Sequence, residues 1–456
     1  MALSVIILAA GQGTRMHSDM PKVLQPLAGR PLLAHVLDTA EALSPSAIHV
    51  VYGYGGDAVP EALPEYDVRW VLQAEQLGTG HAVSQAMPAV ADEDTVLILC
   101  GDVPLVQAAT LTALVSAADG GMSVLTVVLD EPTGYGRIVR DDAGEVARIV
   151  EEKEADEQVR AIREVNTGLV ACPAGRLRQW LAHVSNDNAQ GEYYLTDAIA
   201  LATDAAVSVR AVVVSDQDEV MGVNDKKQLA AAEAATRARK AEELMLGGVT
   251  IADPARIDIR GTLLCGSDVF IDVDTVFEGE VKLGDRVRIG PFTLIKDAEI
   301  AAGTEVLSHT AIDTAVVGPG CRIGPFARIR PQTRLEKDVR VGNFVEMKKS
   351  HIADGSKVNH LSYIGDSTIG KGVNVGAGTI TCNYDGTNKY QTHIGDGAFI
   401  GSGTQLVAPV EIGANAVIGA GSTITSNAPG DELTVARARQ TVVKDWKKPK
   451  KVKSEK

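Results

Sequence analysis

The chain has 456 residues, enough for two or three compact domains, and its 45% hydrophobic and 23% charged content is that of a globular rather than a disordered protein. With 44 basic against 59 acidic side chains it carries a net charge of −15, which repels polyanions and sets nucleic acid and anionic membrane surfaces aside as partners. Aromatics at 4% beside 45 glycines point to thin, repetitive β-structure, and five cysteines without CxxC spacing fit reduced thiols in a cytoplasm rather than disulfides or a zinc site.

The opening segment MALSVIILAAG is expected to be a buried parallel strand. It lacks the charged start of a signal peptide, and its apolar run is only about nine residues. No segment approaches the roughly 20 apolar residues of a membrane span. Up to residue 226, SVIILAA, AIHVVYG, VRWVLQ, TVLILC and MSVLTVVL read as strands, with PLLAHVLDTAEAL, GTGHAVSQAMPAV and AATLTALVSAAD as helices between them. Strands apolar on both faces that alternate with helices predict an α/β domain, Rossmann-like, around a mostly parallel sheet.

The first strand runs into Gly11-Gln12-Gly13-Thr14-Arg15-Met16, followed by Pro21-Lys22. Glycines here allow a backbone to approach a phosphate closely, with its N–H groups turned to the oxygens. Met16 stands where a dinucleotide fingerprint needs Gly or Ala, and no Gly-Lys-Ser/Thr makes a Walker loop. Asp102 follows TVLILC, at a carboxyl strand end where open α/β sheets place ligands; a turn or cap role is equally open to it. Asn224 precedes the helix beginning DKKQL, where an N-cap is the plain reading.

Residues 227–247, KQLAAAEAATRARKAEELMLG, form one long helix in this reading, a semi-rigid connector to a third region, 248–456. There a six-residue period takes over, with apolar residues at Ile259, Cys265, Ile271, Phe277, Leu283, Ile289 and Ile295. It resumes after five-residue steps at Ile300, Val306, Ile312 and at Val317, Ile323, Ile329, Leu335, Val341, Met347, then at Ile394, Ile400, Leu406, Ile412, Ile418 and Ile424. Such a period predicts an all-β domain, a parallel β-helix with a flat side per hexapeptide and about 18 residues per triangular coil. The period breaks between Ile380 and His393, where polar ITCNYDGTNKYQTH is expected to project outward. Cations and hydrogen-bonding groups gather around it: Arg330, Lys348, His360, Tyr363, Asn374 and Lys389. The tail from Lys444 to Lys456 is dense in lysine and reads as a solvated terminus.

The glycine loop with its Pro-Lys resembles the sugar-phosphate nucleotidyltransferases. The segments QAEQLGTGH, GDVPL, GYGR and EVNTG, with the C-terminal cluster, narrow the resemblance to the bifunctional N-acetylglucosamine-1-phosphate uridyltransferase/glucosamine-1-phosphate acetyltransferase family, over nearly the whole chain. That resemblance implies a left-handed β-helix and synthesis of UDP-N-acetylglucosamine for peptidoglycan and lipopolysaccharide, from glucosamine-1-phosphate, acetyl-CoA and UTP. It gives Leu8, Ala9, Ala10, Gly11, Gln73, Gly78 and Thr79 to the uracil nucleotide, with Cys100 and Gly101 beside it. Relatives often have Tyr at position 100, so Cys100 is expected to contribute backbone. Lys22 and Arg15 would neutralise phosphate charge, Gly136, Glu151 and Asn166 would grip the sugar, and Asp102 and Asn224 would hold Mg²⁺.

In the β-helix the resemblance gives Arg330, Lys348, Tyr363, Asn374 and Lys389 to the sugar phosphate. Ala377, Asn383, Tyr384, Ser402, Ala420 and Arg437 would contact acetyl-CoA, and His360 would be the general base. An ammonium cannot attack a thioester, and imidazole titrates where it can take that proton. The family also implies a homotrimer, and in such an assembly a further expectation, separate from the resemblance, is that the lysine-rich tail reaches a neighbour's coenzyme phosphates. The competing reading is a nucleotidyltransferase of single activity whose β-helix is structural or regulatory.

Overall fold

The computed structural model describes residues 2–449, so the end of the lysine-rich tail, 450–456, lies outside the described residues. The chain forms two compact units, one up to Lys240 and one from Ala241.

In the first unit the five runs read as strands become β1 (Leu3–Ala9), β2 (Ala47–Tyr52), β3 (Arg69–Leu72), β4 (Thr95–Cys100) and β5 (Met122–Val128). A hairpin, β6 (Arg137–Arg140) and β7 (Val146–Val150), then β8 (Glu164–Pro173) and β9 (Val209–Val214) complete the sheet. The order is β3-β2-β1-β4-β8-β5-β9, parallel throughout except for β8, which runs antiparallel to both neighbours. Alternate residues of β1 feed two cores: Val5, Ile7 and Ala9 one, Ile6 the other. Helices α1 (Leu32–Glu41) and α3 (Ala108–Ala117) cover the first face; α2 (Thr79–Ala86), α4 (Ala174–Leu181) and α5 (Leu195–Asp204) cover the second. Each fully buried aliphatic side chain contributes about 1.5–3 kcal/mol to that packing. From β1 the chain steps to β2 on one side, while β4 lies on the other, so a topological switch point opens at the carboxyl ends of β1 and β4.

The long helix is α6 (Lys226–Leu246). Leu229, Ala232 and Ala235 pack it against Met16, Leu27, Leu32, Leu105 and Val223. The part up to Lys240 is therefore built into the first unit's core instead of standing free as a connector.

The second unit is a solenoid of parallel strands. One ladder climbs in register through Ile271, Ile289, Val306, Ile323, Val341, Val358, Val375, Ile400 and Ile418. Successive rungs stand 17 or 18 residues apart, as from 271 to 289 and 289 to 306, except between Val375 and Ile400, where the insertion lengthens the step to 25. All the periodic apolar residues are buried except Cys265, which is half-buried. The period also continues between Met347 and the insertion, through Ile352, Val358, Ile364, Ile369, Val375 and Thr381. Thr381 is inward where Ile380 is 40% exposed, because its hydroxyl accepts from Gly365 N–H at 2.8 Å and so enters the core satisfied.

Candidate functional sites

The first site is a cleft of about 300 Å³ at the switch point, lined by Leu8, Ala9, Ala10, Gly11, Lys22, Gln73, Gly78, Thr79, Cys100 and Asp102. Two glycines shape it. Gly13 has φ +63°, and a β-carbon there would come 2.6 Å from Lys22 Cβ, so the loop closes on the lysine only without a side chain. Gly78, φ +112°, caps α2 so closely that a β-carbon would stand 2.5 Å from Tyr193 O. Gly11 is open: among the described residues nothing lies within 4 Å of the position its β-carbon would take.

Lys22 Nζ ion-pairs with Asp102 and lies 3.1 Å from Asn224 Oδ1. Three residues separated by up to 202 positions thus meet at one point, and a backbone bond from Val223 N–H to Asp102 O at 2.8 Å ties their loops together. Asn224 is not the N-cap of α6. Asp225 takes that place, its Oδ1 accepting from Gln228 N–H at 2.8 Å, and the Asn224 amide oxygen is left for the cleft. One carboxylate and one amide oxygen already share a single cationic nitrogen. That hard, two-oxygen donor set fits Mg²⁺, which keeps waters and substrate phosphates as its other ligands. Arg15 lies exposed on the Thr14–Met16 turn and makes no ion pair among the described residues.

Gln73 is buried, its amide nitrogen donating to Gly78 O at 3.2 Å and lying 2.9 Å from His81 Nδ1. Thr79 Oγ1 accepts from Leu195 N–H at 3.0 Å. The Cys100 thiol stands 3.9 Å from Gly168 O, and burial pushes its pKa up to about 12, which keeps it protonated and unreactive. Beyond it, Asn166 N–H donates to Gly136 O at 2.8 Å, its side-chain oxygen accepts from Gly168 N–H, and the Glu151 carboxyl lies 3.6 Å from where a Gly136 β-carbon would be. Burial raises the Glu151 pKa against a hydrogen bond from Thr196 Oγ1 at 3.1 Å. Gly136, Glu151 and Asn166 therefore form one polar corner beside the cleft. Thr196 and the cleft-lining Glu192 were not expected, and an isolated Thr or Glu gives no sequence signal.

In the solenoid, one corner carries a straight column. Gly378 N–H donates to His360 O at 3.4 Å, Gly403 N–H to Ala377 O at 2.7 Å, Gly421 N–H to Ser402 O at 2.8 Å, and the Arg437 guanidinium to Ala420 O. Thus His360, Ala377, Ser402, Ala420 and Arg437 follow one another along the axis. Ala377 N–H donates to no group among the described residues. Towards the start of the solenoid the same corner bears Phe344, Phe326, His309 and Phe292, with ring centroids 4.6–5.4 Å apart. The His360 ring is exposed, its Nδ1 3.0 Å from Asn343 Oδ1.

Arg330 and Lys348 occupy equivalent positions on neighbouring coils, and the insertion brings Lys389 to them. Lys389 first, and then Arg330, depress the Lys348 pKa by repulsion, so three cations crowd one spot where an anion would relieve them. Glu346 accepts from Arg330 at 2.7 Å. The Tyr363 ring lies over Gly365, next in that row. Asn374 stands apart: it is exposed on the sheet that carries His360, between Lys357 and Phe399.

Two expected coenzyme contacts differ in kind. Tyr384 is exposed on the insertion, its hydroxyl donating to Gly386 O. Asn383 turns inward, 8% exposed, and its amide nitrogen donates to Asp366 at 2.6 Å. That amide anchors the insertion, together with the Asn383 backbone, whose N–H donates to Thr381 O and whose carbonyl accepts from Tyr390 N–H.

Comparison with known proteins matches residues 5–164 to the MobA-like NTP transferase domain family, 259–343 to the GMPPB C-terminal domain and 391–426 to the bacterial transferase hexapeptide repeats. Three curated relatives, each named Bifunctional protein GlmU, are similar over nearly their full length. The relative from Alkalilimnicola ehrlichii is 56% identical over 98% of this chain and 97% of its own, and that from an Azoarcus species is 56% identical over 98% and 100%. The Ralstonia nicotianae relative is 56% identical over 99% and 100%.

Proposed function

The chain belongs to the GlmU family of bifunctional enzymes, a uridylyltransferase and an acetyltransferase that together make UDP-N-acetylglucosamine, and from that premise we propose how its residues divide the work. In our reading residues 1–226 form the uridylyltransferase, 227–247 the helix that follows, and 248–456 the acetyltransferase.

The meeting of Lys22, Asp102 and Asn224 carries the uridylyltransferase assignment. A sugar-1-phosphate is already an anionic nucleophile, so no base is required. What opposes the reaction is charge repulsion as its oxygen attacks the α-phosphorus of UTP. When bound between Asp102 and Asn224, Mg²⁺ would supply charge neutralisation on the nucleotide phosphates. Lys22, Arg15 and the N–H groups of the Gly11 loop would hold the phosphates in line while the α–β phosphoanhydride bond breaks and pyrophosphate leaves. Gln73, Gly78 and Thr79 border the base end of the cleft; Gly136, Glu151 and Asn166 would grip the acetylated sugar.

In the acetyltransferase, Arg330, Lys348 and Lys389 would bind the phosphate of glucosamine-1-phosphate, with Tyr363 on the sugar. His360 would take the proton of the 2-amino group as its nitrogen bonds to the thioester carbonyl carbon. The C–S bond then breaks, coenzyme A leaves with a proton, and the Ala377 N–H would hold the oxyanion. Coenzyme would lie along the column from Ala377 through Ser402 and Ala420 to Arg437, small residues leaving room beside the corner. Asn374, on another sheet from the three cations, would reach a sugar phosphate held between copies, which agrees with a homotrimer. No helix among the described residues is long and apolar enough to cross a membrane, and we place the enzyme in the cytoplasm.

The test is one incubation with glucosamine-1-phosphate, acetyl-CoA, UTP and Mg²⁺, each omitted in turn, with products followed by mass spectrometry. UDP-N-acetylglucosamine should form, and should need acetyl-CoA unless N-acetylglucosamine-1-phosphate is supplied. Product from the acetylated sugar alone would reduce the solenoid to a scaffold and remove His360 from its role.

A further inference from the structure

The His360 ring has two nitrogens, and only one can face the amino group of the sugar as an acceptor. Its Nδ1 lies 3.0 Å from the side-chain oxygen of Asn343. The two residues are in-register partners on adjacent parallel strands, Lys357–His360 and Arg340–Asn343, so the ladder itself sets their separation. Asn343 is half-buried and its backbone carbonyl also receives Leu361 N–H at 3.0 Å, which ties the turn after His360 to the coil below. An amide oxygen only accepts, so the proton of neutral imidazole resides on Nδ1 and the lone pair on Nε2.

We propose that Asn343 is a positioning residue for acetyl transfer: it selects the Nδ1–H tautomer of His360 and supports the imidazolium formed when Nε2 takes the substrate proton. The assignment rests on His360 being the general base. Unlike a carboxylate, the amide does this without placing negative charge beside an anionic sugar phosphate. The charged and titratable groups on the faces that meet at this corner are Arg340 and Lys357 on the sheet carrying His360, and Arg328, Arg330, Glu346, Lys348 and Tyr363 on the next, with Lys389 from the insertion.

Full-length Asn343→Ala, Asn343→Asp, His360→Ala and the Asn343→Ala/His360→Ala double variant are assayed for acetyltransferase activity across pH. For Asn343→Ala, kcat should fall roughly 10- to 100-fold, as for the loss of an orienting partner, with KM for both substrates within about twofold. The acid limb of its kcat/KM profile should move to lower pH, and Asn343→Asp should recover most of kcat with the limb moved to higher pH. Asn343→Ala should cost nothing further when added to His360→Ala. An Asn343→Ala enzyme with kcat and acid limb unchanged, beside an inactive His360→Ala, overturns the role of Asn343 alone. So does a KM rise that accounts for the whole loss in both Asn343 variants. An active His360→Ala enzyme overturns the base assignment and the proposal with it.

Discussion

The guanidinium of Arg137 lies 2.7 Å from the Glu152 carboxylate, with only 2% of the arginine side chain exposed. Glu152 also accepts from Gly134 N–H, and that bond first, with Arg137 behind it, holds its carboxyl below the usual range. The pair thus clamps the Gly134–Gly136 loop to the segment bearing Glu151, the polar corner expected to hold the sugar. Glu152→Ala leaves a buried cation unpaired and should destabilise the first unit by about 3 kcal/mol, a fall of roughly 10 °C in its Tm. Arg137→Met removes the charge as well and should cost less than half as much. Thermal melts of both variants, with the KM for N-acetylglucosamine-1-phosphate, check this; equal losses would deny the clamp.

His49 on β2 is fully buried, and neither ring nitrogen has a hydrogen-bond partner among the described residues. Burial, with Arg69 adding to it and Asp94 opposing, holds its pKa below 6.5. The unfolded chain therefore binds the proton more readily than the folded one, and stability is full above the unfolded pKa and lost as pH falls below it. His49→Leu should flatten the decline of Tm between roughly pH 7 and 5. A decline as steep as in the parent protein would place the acid sensitivity elsewhere.

Lys22→Met should lower uridylyltransferase kcat by about 10²–10³-fold, the loss typical of one charge-stabilising donor, and leave acetyl transfer unchanged. Chelation with EDTA should do the same, reversed by added Mg²⁺. Loss of both activities on chelation would show a metal requirement that Asp102 and Asn224 do not explain.

Asn383→Ala should act on the insertion instead of the coenzyme. Without the bond to Asp366, itself 4% exposed, the loop that presents Lys389 loosens. The KM for glucosamine-1-phosphate should rise about tenfold, as after loss of a charged hydrogen bond, and the KM for acetyl-CoA less. The opposite ranking would return the Asn383 side chain to the coenzyme.

Local periodicity made much of the architecture readable: the five strands named from the sequence are mainly apolar runs, and each side of the coil repeats one inward residue, whereas β9, VRAVVV with an exposed Arg210, carries a weaker signal. Less was visible where neighbours, not period, decide structure. The antiparallel β8 and the β6–β7 hairpin carry no run that distinguishes them from parallel strands. Between Met347 and the insertion the same six- and five-residue steps continue through Ile352, Val358, Ile364, Ile369 and Val375, and only at Thr381 does a buried threonine stand in place of the aliphatic residue. At the sites, Asp102 and Asn224 each had an ordinary reading, and only their convergence on Lys22 favours a ligand site. Asn343 was legible in principle, since it stands one coil, 17 residues, before His360.

The corner column has a corollary for how such a chain tolerates length change. Val375 and Ile400 are adjacent rungs although 25 residues separate them, because the surplus is extruded between Thr381 and Thr392. Adding a whole coil above His360 would lengthen the platform and keep Ala377, Ser402 and Ala420 aligned. Adding a single hexapeptide within the coils would advance everything downstream by one side of the triangle, carrying Ser402 and Arg437 round to a different edge from His360. Insertions that preserve acetyl transfer should therefore be extruded loops or complete coils, and those that abolish it should be hexapeptides the core accepts without complaint.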